Sequence, residues 1–312
     1  MGESEGNPLK TAHRSLFSCL CESGIVQCGH GERYQHGKRV AVITALVEGC
    51  SVRSTSRMTG VSKGAILRLL ESVGTACDAY QDRVLRNIPA KRVQVDEIWS
   101  FVGAKAKNVK PTHFENGGYA GDVWTFVAMD ADTKLAISWL AGGRDAGFAA
   151  DFLRDVEERL SNRVQLTTDG HRMYLDAVPN AFGADVDYAQ LVKVFGNDPE
   201  GQKRYSPAQC LGTKRVEVIG DPDPRHVSTS YIERQNLTMR MSMRRFTRLT
   251  NAFSKKLENH IHSINLFYMW YNFVRIHQTL RVTPAMEASI SQHVWGIEEL
   301  IALSHRSELL AA

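Results

Sequence analysis

Cysteine is scarce in this 312-residue chain, and no long apolar run is present. Six cysteines scattered from Cys19 to Cys210 are too few for a disulfide scaffold, which points to a reducing compartment. No stretch reaches the ~18 apolar residues of a membrane span. The most apolar run lies between Val40 and Val47. The opening MGESEGNPLK lacks the basic-then-apolar layout of a secretory leader. Position 6 is Gly where a myristoylation signal needs Ser or Thr. There is no GxGxxG or Walker-type loop to cradle a nucleotide phosphate, and no HExxH zinc motif. No Ser-His-Asp arrangement is legible, and Cys210 has no identifiable base partner. What remains is an ordinary globular composition, 43% hydrophobic and 23% charged, of the size expected for about two domains.

The net charge of +4 conceals an uneven distribution. Residues 1–90 carry 11 Lys/Arg against 8 Asp/Glu, residues 91–225 carry 17 against 20, and residues 226–312 carry 10 against 6. An acidic middle between basic flanks fits a polyanion held on both sides of a carboxylate site, and equally fits an uneven solvated surface.

Residues 1–36 show no fold signal. Cys19, Cys21, Cys28 and His30 form C-x-C-x6-C-x-H, which departs from the C-x2-4-C spacing of structural zinc sites, so zinc is not expected there. From Gly37 the pattern turns helical, with Val40, Ile43, Leu46 and Val47 at helical spacing. Ser51 can cap a short second helix. Thr59-Gly60 makes a turn, and Ser62 can cap a third helix over SKGAILRLLESVG. Helix, short helix, Gly turn, helix is the helix-turn-helix pattern, with Lys63 and Arg68 on the outward face of the third helix. The same spacing also fits a plain three-helix bundle without DNA contact.

After Pro89 the period drops to two. KRVQVDEIWSFVGAK alternates, with Val93, Val95, Trp99 and Phe101 on one side and Asp96 and Ile98 on the other. VWTFVAMD and LAISWLAGG follow as strands joined by a turn, in which Asp130 and Asp132 are expected. Asp145 opens an amphipathic helix, RVQLTTDG reads as a fourth strand, a short helix follows around Tyr174, and DYAQLVKVFG reads as a fifth strand. Residues 196–225, rich in Gly, Pro and charge, read as a loop or insertion, and from Ser228 to about Phe273 the chain reads as mostly helical. Three strands, helix, strand, helix, strand and then helices is an α/β order that matches a ribonuclease-H-like mixed sheet better than a doubly wound nucleotide fold.

Three acids sit where a rigid element could present them: Asp96 within a strong strand, Asp169 at the carboxyl end of a strand, and Glu233 near the start of a helix. Phosphoryl transfer on DNA is commonly run by two hard divalent ions held by a few such carboxylates. Each acid also has a plainer reading: a strand-end Asp as a turn residue, and Glu233 as the capping-box partner of Ser230. Glu97 reads as a solvated strand residue, and His171 as either a support behind Asp169 or a structural residue. Between His226 and Lys256, Glu233 is the single acid among seven basic residues. On a helix, Glu233, Asn236, Arg240 and Arg244 would share one face, suiting a metal site beside a phosphate backbone. The stripe Ile261, Ile264, Phe267, Tyr268 and Tyr271 reads as core.

The stretches VQVDEIWSFVG, LTTDG, STSYIERQNLTMRMSMRRFTRLTNAFSKKLENH and YNFVRIHQTL–TPAM resemble those of bacterial insertion-sequence DDE transposases. The resemblance covers about residues 37–290. It implies a helix-turn-helix DNA-binding domain over 37–80, a linker over 81–90, and a ribonuclease-H-like catalytic domain with C-terminal helices over 91–290. These lie between an unassigned extension (1–36) and a tail (291–312). It further implies Asp96, Asp169 and Glu233 as an acidic triad holding Mg2+ or Mn2+, expected as two ions. Lys63, Arg68, Arg234, Asn236, Arg240, Arg244, Arg245 and Arg248 would contact DNA. The implied partners are the element's terminal repeats, target DNA and further copies of the chain, in a bacterial cytoplasm at the nucleoid. The implied activity is metal-dependent DNA cleavage and strand transfer. A DNA-binding regulator with a silent site, or a nuclease without strand transfer, would carry the same residues.

Overall fold

The computed structural model describes residues 36–113, 119–196 and 210–310. The candidate zinc residues Cys19, Cys21, Cys28 and His30 lie outside them. Helices α1 (His36–Val47), α2 (Val52–Thr59) and α3 (Lys63–Val84) open the described chain. The Ser51 hydroxyl accepts from Ser54 N and the Ser62 hydroxyl from Ala65 N, so two side chains start α2 and α3 as their positions predict. Between them Gly60 takes φ +72°, the left-handed conformation that closes α2.

The sheet contains β1 (Arg92–Val102), β2 (Gly121–Asp130), β3 (Ala136–Gly142), β4 (Val164–Asp169), β5 (Val186–Phe195) and β6 (Cys210–Ile219). Its order is β3-β2-β1-β4-β5-β6. The β1–β2, β2–β3 and β5–β6 pairs are antiparallel, whereas β1–β4 and β4–β5 are parallel. This six-stranded mixed sheet with flanking helices is compatible with a ribonuclease-H-like fold. β6 corrects the expected loop over 196–225: it is a charged, exposed edge strand, whose polar composition hides it from a hydrophobic-pattern reading.

Helices α4 (Ala146–Arg159) and α5 (Met173–Phe182) cover one face, while α6 (Ser230–Ser242) and α7 (Leu257–Met269) cover the other. Neighbouring strand residues show this directly. Ser138 donates to Asp155 on α4, while the next residue, Trp139, donates to Asn265 and stacks on Tyr268, both on α7. The short α8 (Pro284–Glu287) and α9 (Ile297–Leu310) complete the chain. Asp145 accepts from the amides of Gly147 and Phe148 and so starts α4. Asp130 holds the β2–β3 turn through Asp132 N, Thr133 N and the Thr133 hydroxyl. No helix among the described residues is long and apolar enough to cross a membrane.

The third helix does not stop at Gly74, as its sequence suggests. It runs unbroken to Val84 and lies against α7. A Cβ on Gly74 would come within 2.7 Å of the His262 carbonyl oxygen, so the glycine lets two helix backbones approach. Gly74→Val is therefore expected to cost about 1–3 kcal/mol by overpacking. A lower urea midpoint at unchanged m would show it; an unchanged midpoint would contradict the close approach.

Candidate metal and nucleic-acid site

Asp96 lies inside β1 and Asp169 ends β4. The parallel pairing of these strands sets Arg92 opposite Gln165 and Gln94 opposite Thr167. The same offset carried two residues on brings Asp96 level with Asp169. Each of Asp96, Glu97 and Asp169 offers a carboxylate oxygen within 4.8 Å of the others. These are hard oxygen donors of the kind a divalent cation takes.

Helix α6 is seated on β1 by side chains two residues apart on one strand face. The Gln94 Oε1 accepts from the amides of Tyr231 and Ile232, each at 3.0 Å, and so caps the helix. Two residues along, Asp96 accepts from Asn236 Nδ2 at 2.9 Å. Glu233 lies between these anchor points, in the first turn of α6. It is not the capping-box partner of Ser230: Thr229 donates its hydroxyl to Glu233 Oε1 at 2.5 Å, and Lys193 Nζ on β5 lies 2.7 Å from the same oxygen. Glu233 thus stands beside the cluster, near enough to act on Asp96 through its charge, while its own carboxylate is tied to Lys193.

Glu97, whose carboxylate lies in the same cluster, is not solvated. Its side chain is 1% exposed. Arg144 donates to Oε1 at 2.8 Å through Nε, and the Tyr174 hydroxyl donates to Oε2 at 2.8 Å. Arg144 in turn lies over the Trp124 ring. Burial and the adjacent Glu97 push the Tyr174 phenol well above its ordinary range, which keeps it a donor. Asp169 accepts from the backbone amide of His171.

Asp96 makes no ion pair among the described residues, although Arg240 feels its charge. Burial, then the charges of Glu97, Asp169 and Glu233, push its carboxyl up to about 7. The residues present therefore fit a divalent cation: several hard carboxylates converge, and one of them lacks the positive charge its surroundings call for.

The expected DNA-contacting residues divide into two groups. Lys63, Arg68, Arg234, Arg244 and Arg248 are exposed. Arg244 has left the shared helix face, because α6 ends at Ser242 and a tight 3-10 turn follows. Asn236 is buried and gives its amide to Asp96. Arg245 turns inward, donating to Ser254 Oγ at 2.7 Å and Asn259 O at 2.9 Å, and its burial lowers its pKa to about 10. Arg240 is half-buried, donates to Phe246 O and feels both Asp96 and Arg248. His260, held neutral by burial at a pKa of about 3, bridges Ser100 on β1 and Ser254.

A groove of about 690 Å³ lies between the three N-terminal helices and the 243–255 segment. Arg53, Arg57, Lys63, Arg244 and Lys255 line it, and no carboxylate does. Its floor meets β1 where Ser254 bridges Val102, six residues beyond Asp96, or about 20 Å along the strand. Sequence reasoning missed Gln94, Arg144 and Lys193; each acts through a partner remote in sequence, and no local pattern marks it.

No family model matches the sequence, and no curated protein matches it. Among solved structures, the chain is similar to a piggyBac transposase in a synaptic complex with hairpin DNA. The identity is 11% and the TM-score 0.39, over 96% of this chain and 76% of that one.

The raised Asp96 carboxyl has a measurable consequence. A group whose pKa is higher folded than unfolded contributes its stability at low pH and loses it as pH rises through the folded value. With chelator present, Asp96→Asn is expected to be more stable than the parent near pH 8 by about 1–3 kcal/mol, with the gap closing below about pH 5. Thermal melts across that range test it; a parallel pair of curves would refute the uncompensated charge.

Proposed function

We propose that this protein is a DNA transposase, in which Asp96, Asp169 and Glu233 hold divalent cations for cleavage and joining of DNA ends. The observation that carries this reading is the convergence of Asp96 and Asp169 from adjacent parallel strands beneath a helix that presents Glu233. Mg2+ or Mn2+ bound there would acidify an attacking water or hydroxyl and neutralise charge on the leaving oxygen.

The chain's own residues set up that chemistry. Gln94 and Asn236 fix the height of α6 over β1, which holds Glu233 beside the cluster, where its charge is felt by Asp96. Arg144 and Tyr174 take up the charge of Glu97 within the cluster. Lys193 neutralises Glu233 until a cation replaces it. The cationic groove would bind the phosphodiester backbone, with Arg53, Arg57 and Lys63 on one wall and Arg244 and Lys255 on the other. Its distance from Asp96, about 20 Å, corresponds to roughly six base pairs of duplex. In this reading residues 37–80 act as a helix-turn-helix module and residues 91–290 as the catalytic domain. The terminal repeats, target DNA and a second copy of the chain are the proposed partners.

Asp169→Asn removes a ligand charge with little change in shape. Nicking and joining of labelled element ends in Mg2+ are expected to fall at least about 1,000-fold while DNA binding persists. Activity near the parent level would sink the assignment. Nicking without joining in the parent would identify a nuclease, and binding with neither activity a regulator. Lys193→Met is expected to tighten Mn2+ binding up to about fivefold, since a half-exposed ion pair holds Glu233 by no more than about 1 kcal/mol. Calorimetry of Mn2+ binding measures this directly, and weaker binding would show that Lys193 supports the site rather than competing for it.

A further inference from the structure

A second cavity, of about 420 Å³, lies away from the carboxylate cluster, between α3, α4, α7 and the edge strand β3. We infer that it is a binding site for an organic ammonium ion carrying a short hydrocarbon body.

Four aspartates line it in two pairs, each pair one helical turn apart: Asp78 and Asp82 on α3, Asp151 and Asp155 on α4. Three arginines answer them, Arg86 pairing with Asp82 at 2.5 Å. Arg159 is shared by Asp82 and Asp155, at 2.7 Å each, and Arg154 lies 3.4 Å from Asp151. Asp78 is left over: no hydrogen bond or ion pair reaches its carboxyl among the described residues.

A different kind of orphan lines the same cavity. Gln81, one turn along α3 and 1% exposed, spends both amide hydrogens on the carbonyls of Cys77 and Asn265. Its buried Oε1 accepts nothing. Two acceptors without donors, one of them ionisable, thus meet at one cavity. A ligand hydroxyl could serve Gln81 but would leave the surplus negative charge; an ammonium group brings three donors and a positive charge together. Apart from Ser138 and Asn265, the remaining walls, including Phe148, Phe152 and Ile264, are apolar and suit a hydrocarbon body. The volume lies in the range of small-molecule sites.

The state of Asp78 agrees. Burial, then the nearby Asp82, push its carboxyl up to about 7; Arg159 opposes this and Asp155 adds to it. The charged groups facing it are Asp82 on α3 and Asp151, Arg154, Asp155 and Arg159 on α4; α7 and β3 contribute no charged residue to the lining. An ammonium ligand pairs with the ionised carboxylate, so affinity rises as the proton leaves.

The test is calorimetric titration of the full-length protein with butylammonium and 1,4-diaminobutane, with 1-butanol as the neutral control. Saturable one-to-one binding of the amines is expected, about tenfold tighter near pH 8 than near pH 6, with butanol at least about tenfold weaker. Asp78→Asn, which removes a buried charge and keeps the shape, is expected to lose both the affinity and the pH dependence. Equal binding of butanol, amine binding unchanged in Asp78→Asn, or no binding at roughly 10 mM amine would each overturn the proposal. Mg2+-dependent DNA cleavage is read separately, so failure here leaves the carboxylate site untouched.

Discussion

Several carboxylates meet at one point in this molecule because two parallel strands pair in a single register. The offset that sets Gln94 opposite Thr167 also brings Asp96 level with Asp169, while Glu97 is carried along as the next residue on β1. Like charges at that spacing repel, and the protein relieves the repulsion unevenly. Glu97 receives a guanidinium and a phenol, and Glu233 receives an ammonium. Asp96 receives the neutral amide of Asn236 and a backbone hydrogen bond from Glu97, and makes no ion pair among the described residues. The imbalance is what makes the cluster fit a hard cation: a buried carboxylate short of positive charge is stabilised by one.

The elements around this point are placed by polar anchors more than by apolar packing alone. Gln94 fixes where α6 begins, and Asn236 fixes how far along β1 it lies, so the position of Glu233 is set from both ends of its turn. On the same strand face, His260 ties Ser100 to Ser254, and Arg245 ties Ser254 to α7. The basic segment after α6 is thereby held beside the N-terminal helices. α3 belongs to both parts of the molecule. Its start carries the exposed Lys63 and Arg68, and its later turns pack on α7 around Gly74. Its Asp78 and Gln81 face the second cavity. A change in that helix would therefore be felt at the cationic groove and at the cavity together.

Local features were legible in the sequence. The period-two runs of β1 to β5 appear as strands, and Ser51, Ser62, Asp130 and Asp145 cap or turn the chain through neighbours two or three residues away. β6 escaped because an edge strand can be charged on both faces. Glu97 escaped because the groups that bury it, Arg144 and Tyr174, lie 47 and 77 positions away. Asn236 and Arg245, both expected at the DNA, instead turn inward, Asn236 to Asp96 and Arg245 to Ser254 and Asn259.

Hydrogen bonding within a few residues and the periodicity of apolar side chains are written in the order of amino acids, so the strands, caps and acidic candidates could be read from it. Which acid faces which was decided only by strand pairing and helix seating. Those depend on contacts between residues tens to hundreds of positions apart, and nothing in a linear pattern states that Lys193 meets Glu233, that Gln94 caps α6, or that Asp78 is left without a counter-ion.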